Sequence, residues 1–177
     1  MKTLTTIKID KTNADNADVK HLYETAFPKE EKIPYAIIIK LLDRMPLDFT
    51  AYYDGDTFVG LTMILNRYDF NWLWYFAVSK ELRSKGYGHQ ILTMLKSNYS
   101  NRPIILDMES PDQIADNMEQ RHRRHAFYLR NGFRDTYVGK TFRRVDYTIL
   151  IYGEGTFTMN DYDTILKDLS RYWKEGR

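Results

Sequence analysis

The 177-residue chain contains no cysteine, an absence that removes disulfides, thiolate metal sites and a cysteine nucleophile together. No hydrophobic run approaches the length of a membrane span, and Met1 to Ile7 lacks the apolar core of a signal segment. A cytoplasmic protein with no membrane partner is expected. An excess of charge is missing as well. Lys and Arg number 26 against 24 Asp and Glu, for a formal net charge of +2, which does not point to nucleic acid, because phosphate binding usually shows as a concentrated basic surface. Internal repeats, low-complexity tracts and flexible linkers are also lacking, so residues 1–177 read as one domain, of a size able to bury its own core.

Aromatic side chains, by contrast, are plentiful: they make up 15% of the residues, with 14 tyrosines. Large aromatics fill cores and also line pockets for small ligands. Hydrophobic residues at 43% and charged residues at 28% are ordinary globular usage, which excludes disordered and fibrous classes.

Hydrophobic spacing then predicts the elements. A short strand spans Leu4 to Ile9, and helices span Asp15 to Phe27, with Val19, Leu22, Tyr23 and Phe27 on one face, and Tyr35 to Arg44. Phe49 to Tyr53 and Thr57 to Leu65 flank Asp54-Gly55-Asp56 as a hairpin. After a turn from Asn66 to Asn71, Trp72 to Val78 is apolar on both faces and reads as a central strand. A helix from Gly88 to about Tyr99 and a buried strand from Ile104 to Met108 follow, and this strand-helix-strand spacing implies a right-handed crossover with a parallel pair. A charged helix from Asp116 to Asn131 is closed by Gly132. Strands from Phe133 to Lys140 and Arg143 to Tyr152 lie around a break at Gly139-Lys140, and a closing helix, about 160–174, carries Tyr162, Ile165, Leu166, Leu169 and Trp173. That helix either caps the last strands or forms a homodimer contact.

The stretch with chemical potential is Arg83-Ser84-Lys85-Gly86-Tyr87-Gly88, between the central strand and the helix carrying Ile91, Leu92 and Leu95. The first turn of a helix has four N–H groups without intrahelical partners, and its dipole favours negative charge. Gly86 and Gly88 let the backbone approach a phosphate, while Arg83 and Lys85 add positive charge. On local grounds this is either an anion cradle or an ordinary strand-to-helix loop.

The element order, together with that turn, resembles the Gcn5-related N-acetyltransferases, the GNAT family. The turn is similar to the family's Gln/Arg-x-x-Gly-x-Gly/Ala pattern, led by Phe76-Ala77-Val78 and Leu82, and Ala126-Phe127-Tyr128-Leu129-Arg130-Asn131-Gly132-Phe133 is similar to its second motif. The resemblance covers nearly the whole chain apart from the C-terminal helix. It implies an α+β, three-layer acyl-CoA N-acyltransferase fold, with a mixed antiparallel and parallel sheet splayed at its centre and flanked by helices. It also implies acetyl transfer from acetyl-CoA to a primary amine, with no metal. Phe76, Ala77 and Val78 are then backbone contacts to the pantetheine arm, and the N–H groups of Arg83, Ser84, Lys85, Gly86, Tyr87 and Gly88 hold the pyrophosphate. Tyr128 protonates the departing thiolate. A phenol, with a pKa near ~10, is protonated at neutral pH and roughly matched to a thiol of about 8.5. Many relatives carry Asn and Ala seven and four residues before that tyrosine. Arg121 and Arg124 stand there in this chain, so the Asn contact does not carry over. The run Arg121 to His125 reads as a solvated helix face, with coenzyme phosphates or nucleic acid as alternatives.

An acceptor ammonium must lose a proton before it can attack. In the family the base often sits where the central strands splay. Glu109 is the best placed carboxylate, with Asp107 second on the same strand face. Without cysteine, direct attack in a ternary complex is expected, the oxyanion being met by a strand N–H near Phe76. The Pro28 to Pro34 loop, with Glu30 and Glu31, and Tyr68, Trp72 and Trp74 are candidates for contacting the acceptor, whether a small molecule such as a polyamine, aminoglycoside or amino acid, or a peptide. The alternative is a non-catalytic acetyl-CoA sensor or interaction module.

Overall fold

The computed structural model describes residues 3–29 and 31–175, the side chains of 173–175 excepted. The contacts expected of Glu30 and of the Trp173 side chain therefore lie outside the described residues. In chain order the elements are β1 (Thr5–Lys8), α1 (Ala17–Ala26), α2 (Tyr35–Leu41), β2 (Leu47–Asp54), β3 (Thr57–Asn66), β4 (Asn71–Val78), α3 (Tyr87–Asn98), β5 (Ile104–Glu109), α4 (Met118–Arg130), β6 (Arg134–Phe142), β7 (Val145–Tyr152) and α5 (Met159–Glu175), with a short 3-10 turn at Lys80–Leu82.

The strands form one sheet in the order β1-β2-β3-β4-β5-β7-β6. Neighbours are antiparallel except β4 and β5, which run parallel and pair only at Asn71 with Ile104 and Trp72 with Ile105. Beyond that point the two strands part. The sequence supplies the cause: Met63 pairs with Tyr75 but Ile64 pairs with Leu73, so Trp74 is an extra residue on β4. Such a bulge bends its strand and increases the local twist, here away from β5.

Both sheet faces are covered, giving three layers. Val19, Leu22 and Tyr23 of α1, Ile38 and Leu41 of α2, and Tyr162 and Ile165 of α5 pack on Phe49, Leu61, Met63, Trp72 and Ile149. On the other face Ile91, Leu92 and Leu95 of α3 and Tyr128 of α4 pack on Ile64, Leu73, Ile104, Leu106 and Leu150. The closing helix is also pinned to the β3–β4 turn. Arg67, 7% exposed on the β3–β4 turn, pairs with Asp69 and with Asp168 of α5, and its guanidinium lies 5.0 Å from the Phe70 ring, which meets Phe157 edge-on at 5.3 Å.

The last hairpin differs from the sequence expectation, as does α2, which ends at Leu41 and not at Arg44. The β6–β7 turn falls at Arg143 and Arg144, with φ of 49° and 68°, the doubly positive backbone of a two-residue hairpin turn. Gly139 instead stays within β6, where an added Cβ would lie 2.9 Å from the Tyr147 carbonyl oxygen. Glycine therefore marks a close approach there, and the chain does not break.

The tyrosine-rich core carries a pH signature. Burial pushes Tyr35 up to about 12 and holds Tyr23, Tyr52 and Tyr75 above the ordinary phenol value. These groups stay protonated in the folded chain, whereas unfolded tyrosines ionise near ~10. The folded state thus binds more protons above that pH, and stability falls as pH rises. Urea midpoints should be level from about pH 7 to 9 and decline above about 10.

Candidate active site

The chain leaves β4 at Val78, makes the 3-10 turn, and enters α3 through Ser84 at φ 62° and Gly86 at φ 87°. Gly86 is the N-cap and lies in the left-handed region, which glycine adopts without a steric penalty. The backbone N–H groups of Ser84 through His89 meet no acceptor among the described residues. They line a concave backbone turn, an arrangement that binds anions. Arg83 Nε donates to the Val78 carbonyl at 3.1 Å, and the Tyr87 hydroxyl donates to Asp54 at 2.8 Å, fixing the loop between β4 and the β2–β3 hairpin. A Cβ on Gly88 would lie 3.1 Å from Phe127 Cζ, so the glycine also lets α3 close onto the aromatic face of α4.

The gap left by the splay is a cleft of about 1830 Å³ between β4 and β5, reaching from this loop to the Phe27–Ile33 segment. Past Trp72, β4 has no ladder partner on its β5 side, so that edge offers its backbone groups to the cleft. Phe76, Ala77 and Val78 lie along it, and Arg83, Ser84, Gly86 and Gly88 close one end.

Tyr128 enters from α4 across the cleft. Its helix ends in a Schellman turn: Gly132 N–H donates to Leu129 O at 2.9 Å and Phe133 N–H to Tyr128 O at 3.1 Å, with Gly132 at φ 83°. The usual hydrophobic contact of this turn is the Tyr128–Phe133 ring pair, 5.6 Å apart and edge-on. The glycine that stops the helix therefore also fixes the tyrosine. Tyr128 is 8% exposed, and burial pushes its phenol up to about 12, against the pull of Arg124. Its hydroxyl has no hydrogen-bond partner among the described residues, yet it is not among the sealed polar atoms, because it opens to the cleft.

Three carboxylates face the other half of the cleft. Glu109 Oε1 accepts from Arg121 at 3.0 Å, and Oε2 accepts from Asn117 at 3.3 Å and forms an ion pair with Arg124 at 3.5 Å. Asp107 accepts from Trp72 Nε1 at 3.1 Å and from Lys140 at 2.5 Å. Burial opposes the charge on Lys140, but Asp107 outweighs it and holds the ammonium above its ordinary value. Glu31 accepts from the Tyr147 hydroxyl. Burial raises its carboxyl above the ordinary range, opposed by Tyr147 and reinforced by Glu109.

A family model of the acetyltransferase (GNAT) domain matches residues 47–135, a span running from β2 through the loop to Tyr128 and Phe133. The chain belongs to the GNAT acetyltransferases. No curated protein sequence matches it. Solved structures show the GNAT fold in relatives of low identity. A protein described as a GNAT acetyltransferase from Bacteroides thetaiotaomicron shares 23% identity over 93% of this chain and 95% of its own, with a TM-score of 0.75. An aminoglycoside 6'-N-acetyltransferase complexed with coenzyme A shares 16% over 83% and 95%, with a TM-score of 0.65. A GNAT acetyltransferase from Elizabethkingia anophelis with acetyl-CoA bound shares 13% over 87% and 100%, with a TM-score of 0.59.

Within this GNAT frame the expected residues distribute unevenly. Phe76, Ala77, Val78, Arg83, Ser84, Gly86, Gly88 and Tyr128 meet around the cleft. Lys85 is exposed outside its lining, and the Tyr87 side chain turns to Asp54. Glu109 reaches the cleft, but guanidinium and amide groups occupy both of its oxygens, which suits a counter-ion better than a proton acceptor. Asp107, second in the sequence reading, is similarly occupied. Tyr68, 81% exposed on the β3–β4 turn, is not part of the cleft, whereas Trp72 and Trp74 are. The Arg121 to His125 run is not one solvated face, since Arg121 is 4% exposed and turned inward. Sequence reasoning missed Tyr147 and Lys140. Tyr147 reaches Glu31 across 116 residues, a pairing with no local signal, although the strand alternation of Val145–Tyr152 puts Tyr147 on one face.

Proposed function

We propose that this GNAT chain moves an acetyl group from acetyl-CoA to a primary amine by direct attack in a ternary complex, and a cytoplasmic location fits that reading. The observation that carries it is the backbone cradle at Ser84 to His89, opening into the same cleft as the Tyr128 hydroxyl, both without a hydrogen-bond partner among the described residues. The cradle suits a pyrophosphate, with Arg83 and Lys85 adding charge. The free edge of β4 at Phe76, Ala77 and Val78 suits an amide-bearing arm, and an N–H near the Trp74 bulge suits a developing oxyanion. Acetyl-CoA supplies the activated thioester, and every other role falls to the chain. Tyr128 Oη holds a proton for the leaving sulfur. Glu109 keeps Arg121 and Arg124 in place beside it.

Titration calorimetry with acetyl-CoA tests the reading. Micromolar-range binding is expected in the wild type, with a loss of roughly 100-fold or more for Gly88→Val, since its branched side chain meets the Phe127 ring and forces the first turn of α3, with the cradle on it, to shift. Wild-type protein that takes up no heat with millimolar acetyl-CoA would sink the proposal.

A further inference from the structure

The carboxylates of the cleft are not equivalent. Asp107 spends both oxygens on Trp72 and Lys140, and Glu109 spends both on Arg121, Arg124 and Asn117. Glu31 spends one. Its Oε1 accepts from Tyr147, while Oε2 has no partner among the described residues. The segment carrying it is also held firmly: the Tyr75 hydroxyl donates to the Glu31 carbonyl at 3.1 Å, and the Tyr23 hydroxyl to the Ile33 carbonyl at 2.8 Å. Glu31 is thus tied to β4 by its backbone and to β7 by its side chain, straddling the splay.

Among the described residues of the cleft, Glu31 is the carboxylate with no cation at ion-pair distance. The lining around it is apolar, with Phe27, Ile33, Leu166 and Leu169, and Trp74 stacks on Trp72 at 5.1 Å and 18°. Lys140 and Arg124 also face the cleft, so a second or third positive charge on an acceptor meets repulsion and, among the described residues of the cleft, finds no free carboxylate to pair with.

We infer that Glu31 receives the acceptor ammonium on its free oxygen and takes its proton, and that the acceptor is a primary amine with a single positive charge and an apolar, aromatic body. The inference rests on the acetyltransferase reading. One ammonium proton passes to Glu31 Oε2, leaving a lone pair on nitrogen. That pair forms the C–N bond to the acetyl carbon as the C–S bond breaks, Tyr128 Oη protonates the sulfur, and the nitrogen's second proton restores Tyr128 through solvent. Burial, with Glu109 and Asp107 on β5, holds Glu31 above its ordinary range against Tyr147 on β7 and Arg124 on α4. The base is the ionised form, so the rate rises with pH through that raised value.

The test is a thiol-release assay with acetyl-CoA on phenethylamine, spermidine and kanamycin, using wild type, Glu31→Gln and Tyr147→Phe. The kcat/KM for phenethylamine should exceed those for the two polycations at least about 10-fold. Glu31→Gln should lower it about 100-fold and abolish the acidic limb of the pH profile, with acetyl-CoA affinity and melting temperature unchanged. Tyr147→Phe removes a hydrogen bond to the ionised carboxylate and should move that limb to higher pH. Preference for spermidine or kanamycin, turnover of none of the three, or an acidic limb that survives in Glu31→Gln overturns the inference while acetyl-CoA binding keeps the acetyltransferase reading intact. A wild type that does not bind acetyl-CoA overturns both.

Discussion

Arg121→Met is expected to destabilise the protein by about 3 kcal/mol, the lower end of the range for breaking a buried ion pair, and to lower Tm by roughly 6–12 °C for a chain of this size. The Arg121 side chain is 4% exposed and the Glu109 side chain 11%, so removal of the guanidinium strands a carboxylate with little access to water. Arg124 remains at 3.5 Å but is 36% exposed, which is why the lower end applies. Arg121 also donates to Asn117 at 2.8 Å and Gln113 at 3.1 Å, and thereby joins the end of β5 to the first turn of α4. Converting Glu109 to Leu in the Arg121→Met background should recover most of the loss, because an apolar replacement of both partners is often neutral. A double-mutant cycle should give a coupling of at least about 2 kcal/mol. A single-variant loss below about 1 kcal/mol would mean that the clamp contributes little.

The clamp also shows where sequence reading stops. Local periodicity sufficed for most elements, because helix faces such as Val19, Leu22 and Tyr23 or Ile91, Leu92 and Leu95 bury the positions their spacing predicts. The cradle was legible because its parts are contiguous: Gly86, Gly88 and the basic residues lie within one turn. Tyr128 was legible through the resemblance of Ala126 to Phe133 to the family's second motif, and Gly132 and Phe133, four and five positions on, close its helix in the Schellman turn. The other half of the cleft was legible only in part. Glu31 and Asp107 stood among the candidates, but their pairing with Tyr147 and Lys140, which lie on separate elements, carries no local signal, and the bulge at Trp74 beside the splay leaves no mark in an apolar run. Nor does a carboxylate at a strand end reveal its neighbours. Glu109 is drawn into ion pairs with Arg121 and Arg124 of the following helix.

Tyr128→Phe should lower kcat by about 10²–10⁴, the usual worth of a positioned acid, while leaving acetyl-CoA affinity in calorimetry unchanged. The fold should scarcely notice. The hydroxyl makes no hydrogen bond among the described residues, so its loss changes stability by less than about 0.5 kcal/mol, and a melt separates a chemical defect from a structural one. Burial pushes the phenol up to about 12, some 3.5 units above an ordinary thiol, a mismatch of roughly 5 kcal/mol for proton transfer in water. The cleft narrows that gap, because a thiolate leaving into the same desolvated space gains proton affinity for the same reason the phenol does. The raised value has a second consequence: the hydroxyl stays protonated through the alkaline range, so Tyr128 should impose no basic limb on the rate below about pH 11. A wild type that binds acetyl-CoA but transfers to no amine, with Tyr128→Phe indistinguishable from it, would instead mark a coenzyme sensor. A basic limb near pH 10 that vanishes in Tyr128→Phe would mean that the phenol titrates as if exposed, against its burial.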